Sequence, residues 1–160
     1  MKSQKQSKNF YKNLYKKKDT LENITTEHPF LKDLPKLDEN DKENLAKPLT
    51  LEELENALKT CADSAPGMDG ITYDTYKELW EITGPLIIQA WHYSSEIKQT
   101  SQSQQISVIT LLEKKDKDKS KIENLRPISL SNCDIKICTK AIAIRTNKVL
   151  HKLIQETQTG

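Results

Sequence analysis

The chain has 160 residues, 35% apolar and 30% charged, with 25 basic side chains against 23 acidic ones and a net charge of +2. That suits one modest core under a solvated surface, and no apolar run reaches the 18 residues that a membrane span requires. The start, MKSQKQSKNFYKN, is charged without an apolar stretch behind it, which excludes a secretory signal. Three cysteines, Cys61, Cys133 and Cys138, without CxxC spacing argue against a zinc site or a disulfide framework. The expectation is a reduced intracellular protein, nuclear or cytoplasmic.

Charge is segregated along the chain. Residues 1–20 hold seven lysines against one aspartate, and residues 21–60 hold five lysines against ten carboxylates. Residues 61–112 hold two lysines against six acids, 113–126 six basic groups against four, and 131–160 five against two. Basic ends around an acidic middle suit a polyanionic partner, or a solvated lysine tail beside a salt-bridged centre.

In chain order, residues 1–8 read as a disordered basic tail. FYKNLYKKK places Phe10, Tyr11 and Leu14 on one side of a short helix. Residues 19–48, punctuated by Pro29, Pro35 and Pro48, read as an extended linker with one helical turn near Glu39–Leu45. TLEELENALKTC carries a capping box, Thr50 with Glu53, before a stripe of Leu51, Leu54, Leu58 and Cys61. DSAPGMDG breaks that helix. Thr72 opens the next one, with Tyr73, Tyr76, Leu79 and Trp80 on overlapping faces. Gly84-Pro85 reads as a break, with Pro85 opening a further helix buried through Leu86, Ile87, Ala90, Trp91, Tyr93 and Ile97.

KQTSQSQQ is a polar loop, ISVITLL a β-branched strand, and KKDKDKSK a charged turn in which Lys115, Lys117, Lys119 and Lys121 form a solvated tip. RPISLS returns as a second strand, and Pro127 restricts it to a sheet edge. From Asp134 to about Leu153 the pattern is helical, with Ile135, Cys138, Ile142 and Val149 on one stripe and Ile137, Ala141 and Ile144 beside it. Lys136, Lys140 and Lys148 read as one basic face. The fold class is α+β, mostly helical with a two-stranded antiparallel hairpin. Its parts are a tail (1–8), a helical lead-in (9–62) and residues 63–160.

Arg126 stands out because arginine occurs only there and at 145, against 23 lysines. A hairpin would bring it beside Lys114, and two fixed cations suit a phosphate chain, arginine through its planar two-donor fork. The plainer alternative is a solvated hairpin with Arg126 paired to Glu123. In APGMDG the glycines permit positive φ and Asp69 can cap a turn. His28, His92 and His151 have no ligand or triad partner at useful spacing, and Trp80 and Trp91 read as core. No aromatic-x-Asp-Asp stretch exists, and Asp116 and Asp118 sit in a lysine-rich turn, so no catalytic or metal-holding carboxylate pair is evident.

SAPGMDGITYDTYKELW (64–80), ITLLEKKDKDKSKIENLRPISLSN (109–132) and DIKICTKAIAIRTNKVL through QTG (134–160), in that order, resemble the N-terminal fingers of reverse transcriptases from non-LTR retrotransposons of the long-interspersed-element type. FYKNLY and PLTLEELENAL are similar to that class's lead-in segment. The resemblance implies a fragment of an RNA-directed DNA polymerase without palm or thumb. Lys114 and Arg126 would contact the phosphates of an incoming dNTP. Gly67, Asp69, Gly70, Lys136, Lys140 and Gln158 would lie near the template, with Arg145 also toward the nucleic-acid cleft. RNA template, DNA primer and Mg²⁺ would belong to the complete enzyme, whose palm aspartates, or an element-encoded endonuclease, lie outside these residues. The fragment itself would bind no metal and be inactive alone. Glu113, Leu125, Ser131 and Ile144 depart from the pattern commonly seen at these places, which fits a decayed copy. A stand-alone nucleic-acid-binding module and a non-functional remnant are the alternatives.

Overall fold

A computed structural model describes residues 2–16, 34–116, 118 and 120–154, the first six of these as backbone only. His28, Lys117, Lys119, Gln158, Gly160 and much of the expected linker lie outside the described residues. Seven helices, α1 (Lys2–Leu14), α2 (Glu39–Ala46), α3 (Leu51–Lys59), α4 (Tyr73–Glu78), α5 (Trp80–Ile97), α6 (Gln102–Gln105) and α7 (Cys133–Leu150), accompany two strands, β1 (Val108–Glu113) and β2 (Leu125–Leu130). The strands form one two-stranded antiparallel sheet, so the α+β reading holds. By compactness the chain divides into residues 1–34 with 111–128, and residues 35–110 with 129–160.

The larger unit is a helical core. Leu54, Ala57 and Leu58 of α3 meet Ile137, Cys138 and Ala141 of α7, with Tyr73, Tyr76 and Ile87 closing the sides. The expected capping box is present: Thr50 Oγ1 accepts from the Glu53 amide at 3.2 Å, and Glu53 Oε2 accepts from the Thr50 amide at 2.9 Å. Leu51 is the exposed end of its stripe. On α7 the buried stripe is Cys133, Ile137, Ala141 and Val149, with Cys138 beside it, whereas Ile142 faces out. Both tryptophans pack against this core half-buried.

Three expectations change. α1 starts at Lys2, within the stretch read as a disordered tail, because lysine and glutamine continue a helix at little cost once Phe10 and Leu14 fix its end. α2 is eight residues rather than one turn, N-capped by Asp38, whose Oδ1 accepts from the Asp41 amide at 2.8 Å. The break before the long helix falls at Leu79 instead of Gly84-Pro85, and α5 runs through Pro85. Pro85 lies early in α5, so its missing N–H leaves open only the carbonyl of Glu81, an exposed residue that water reaches. Gly84 is buried for a different reason. A Cβ there would stand 2.8 Å from the Trp80 ring and 3.1 Å from Leu51. Of the side chains assigned to the buried side of α5, Leu86, Tyr93 and Ile97 are exposed.

The smaller unit joins α1 to the distal part of the hairpin. The Tyr11 hydroxyl donates to the Leu125 carbonyl at 3.3 Å, and Phe10 meets the Tyr11 ring edge-on at 5.2 Å.

Candidate functional site

The Lys114 amide donates to the Asn124 carbonyl at 2.9 Å, and the Ser107 and Ser131 hydroxyls meet at 3.0 Å. Both pairs obey one register, which sets Leu112 opposite Arg126 and Leu111 opposite Pro127. The proline nitrogen then points away from β1, where no ladder bond is lost. Alternation puts Lys114 and Arg126 on the same face as diagonal neighbours, roughly 7–8 Å apart at Cα by sheet geometry. Leu111, Leu125 and Pro127 occupy the other face, half-buried, while Leu112, Arg126 and Ile128 are exposed. The Lys114 ammonium donates to the Glu123 carbonyl at 2.6 Å, which steadies it at the hairpin's end. Arg126 has no ion pair among the described residues, with Glu123 or otherwise.

The APGMDG loop has a complete structural account. A Cβ on Gly67 would lie 2.1 Å from Asn132 Oδ1 and 2.5 Å from its backbone nitrogen, so only glycine fits. Asn132 Oδ1 accepts from the Met68 amide at 3.0 Å, and its Nδ2 donates to the Ser103 carbonyl at 3.3 Å. Gly70 has φ +72°, and its amide closes a turn onto the Gly67 carbonyl at 3.3 Å. Asp69 Oδ1 accepts from the Ile71 amide at 3.1 Å. Asn132 is the residue that sequence reasoning missed. It is only 4% exposed and binds the loop to the start of α7. The available signal was an asparagine just before a helical pattern, a cap position, although here its side chain serves the distant loop and not its own helix.

The expected basic face of α7 divides in two. Lys136 turns onto the loop after α3, donating to Ser64 Oγ at 3.2 Å and the Ala65 carbonyl at 3.0 Å, with its ammonium 5.2 Å from the Tyr73 ring centre. Lys140 is exposed, and both lysines line a shallow groove of about 440 Å³ with Thr60, Cys61 and Thr139. Lys148, eight residues beyond Lys140, is rotated about 80° around the helix and lines a separate groove beside α2.

Arg145, expected near a nucleic-acid cleft, is a structural clamp. Its Nε and a terminal nitrogen donate to both Glu53 carboxylate oxygens at 2.9 and 2.5 Å. Its remaining donors reach the carbonyls of Leu45 (3.3 Å), Lys47 and Pro48 (3.1 Å). The guanidinium beside it holds the Glu53 carboxyl below its ordinary value. Lys152 donates to Asp41 Oδ2 at 2.5 Å and Asp38 Oδ2 at 3.4 Å. Those hydrogen bonds, Asp41's first, push the Lys152 ammonium up. The Asp38 carboxyl is lowered chiefly by the Asp41 amide and then by Lys152. His92 Nε2 lies 2.8 Å from the Leu49 carbonyl, a structural contact.

Among the described residues no group of three or more His, Cys, Asp or Glu could hold a metal ion, and no helix is long and apolar enough to cross a membrane. No protein-family model matches the chain. It is similar to the transposon TX1 uncharacterized 149 kDa protein of Xenopus laevis, 36% identical over 126 residues, which are 78% of this chain and 10% of that protein. The chain is thus related to a transposon-encoded protein and spans about a tenth of that relative's length.

Proposed function

We propose that this chain is the fingers portion of a retrotransposon reverse transcriptase, in which Lys114 and Arg126 hold the triphosphate of an incoming deoxynucleotide. The observation that carries the reading is the strand register, which sets the two cations on one face of the hairpin. A triphosphate spans several ångströms and needs charge at more than one point. An anchored ammonium and an exposed guanidinium fork supply it, the fork through two parallel hydrogen bonds. Relatedness to a transposon-encoded protein supports the same reading, as do the apolar side chains left exposed on α5 and the hairpin, which suit a body packed against further protein. Template RNA would pass the Gly67–Gly70 loop near Asp69, Lys136 and Lys140. Since Lys136 is engaged with its own loop, Lys140 is the freer of the two for a phosphate.

The described residues do not fit a catalytic metal, and the sequence holds no Asp-Asp pair. Chemistry and Mg²⁺ would therefore belong to a palm outside these residues, and the isolated chain would extend no primer. The test is an NMR titration of the 160-residue chain with inorganic tripolyphosphate. Amide shifts clustered at 112–114 and 124–126, lost in Lys114→Ala and weakened in Arg126→Lys, are the expected result. Shifts confined to other lysines would overturn the phosphate role.

A further inference from the structure

After Asp134, α7 and the turn behind it carry Lys136, Lys140, Arg145, Lys148, His151 and Lys152 and no carboxylate up to Ile154. The C-terminal half of this basic stretch is covered by the acidic α2 segment, which holds Asp38, Glu39, Asp41 and Glu43 against one lysine. The buried residue of α2 is a carboxylate, Asp41. Its partner is the Lys152 ammonium at 2.5 Å, which Asp38 approaches from the other side at 3.4 Å. Between α2 and α7 runs a polar groove of about 430 Å³, lined by Asn44, Lys47, Arg145 and Lys148. A helix seated mainly by carboxylates on a cation can be exchanged for any other well-placed polyanion, because the cation loses nothing by changing partners.

We propose that the C-terminal half of α7 is a binding face for single-stranded nucleic acid, covered by α2. Asp38 and Asp41 occupy Lys152 as backbone phosphates would, and an arriving strand displaces α2 to reach Lys148 and Lys152. Arg145 stays in its clamp with Glu53. This rests on the nucleic-acid reading above and adds to it a covered second surface and the element that covers it.

The test uses the full chain and a labelled 20-nucleotide single-stranded RNA, followed by anisotropy across a salt series. Asp38→Asn with Asp41→Asn removes the cover's charge, and asparagine keeps the α2 cap. Glu43→Gln with Glu52→Gln changes net charge equally without touching Lys152. The first pair should tighten binding several-fold beyond the second and add about one to two counterions to the salt slope. Adding Lys148→Gln and Lys152→Gln should erase that gain. In the unaltered chain, RNA should speed hydrogen exchange of the Lys42–Ala46 amides. Equal affinities of the two neutralised pairs, a gain that survives loss of both lysines, or unchanged α2 exchange in an RNA-bound chain would each overturn the covered face while leaving nucleic-acid binding intact. No RNA binding by any variant at low salt would sink both readings.

Discussion

Arg145→Met is the sharpest probe of the helical core. The substitution keeps most of the side chain's apolar length and removes five hydrogen bonds, two to Glu53 and three to the carbonyls of Leu45, Lys47 and Pro48. The arginine side chain is 13% exposed and that of Glu53 31%. Truncating a fully buried pair costs about 3–5 kcal/mol, but water can reach part of Glu53 and of the Lys47–Pro48 backbone. The expected loss is about 2–4 kcal/mol, built from charged hydrogen bonds of roughly 1.5–3 kcal/mol against partial resolvation. Arg145→Lys keeps the charge without the fork and should cost about half as much. Glu53→Gln retains the cap acceptor for Thr50 while losing the charge, so it isolates the ion pair.

Urea denaturation followed by tryptophan fluorescence reads the larger unit alone, since Trp80 and Trp91 both lie in it. The double cycle between Arg145→Met and Glu53→Gln should return a coupling of about 1–2 kcal/mol. Acid supplies a second reading. The Glu53 carboxyl is held below its ordinary 4.5, first by the Arg145 hydrogen bond. Its stabilising contribution is therefore complete above the unfolded value and disappears as pH falls through the folded one. Glu53→Gln should flatten that acid limb. An Arg145→Met protein within about 0.5 kcal/mol of the parent, the scatter of ordinary surface substitutions, would refute the clamp and return Arg145 to the surface.

Gly67→Ala should destabilise the fold by about 2–4 kcal/mol in the same assay, because its Cβ meets backbone that cannot yield. Gly70→Ala, in open space at φ +72°, should cost only about 1–2 kcal/mol from the left-handed backbone; a reversed order would contradict the loop's packing. Pro85→Ala should stabilise the protein by about 1–2 kcal/mol, restoring a helical N–H at the expense of some unfolded-state entropy, whereas a proline that opened the helix would give no gain. Burial pushes the Cys138 thiol up to about 12 and raises that of Cys133. An Ellman titration at pH 8 should therefore show one fast thiol, the half-buried Cys61, and two more only in urea. Three fast thiols would show that the α3–α7 interface opens readily.

What the sequence made legible was local. The capping box at Thr50 and Glu53, the turn around Gly70, and the register of a hairpin containing Pro127 each depend on residues close in the chain or on strict alternation. What it hid were contacts between distant segments. Gly84 and Pro85 read as a break because nothing local shows that Trp80 and Leu51 need the missing Cβ. Asn132 and Lys136 read as a cap and a surface charge because the 64–68 loop that they hold is more than 60 residues away. The face of Lys136, Lys140 and Lys148 failed through geometry: spacings of four accumulate 40° each, so lysines eight and twelve residues apart no longer share a side.

The two arginines bear on one another. In a chain that otherwise supplies cations as lysine, Arg145 sits where five donors in fixed directions are all used, a set that an ammonium with three donors cannot match. Its position is explained by its fork rather than by its charge. Arg126 stands on an exposed strand face opposite Leu112, with no carboxylate paired to it among the described residues. Charge alone would be served there as well by lysine, as at Lys114. If the fork is again the reason for arginine, its acceptors must come from outside the hairpin, and they must be planar or clustered oxygens. Phosphate meets that requirement, and it is the ligand that the resemblance independently implies for this pair.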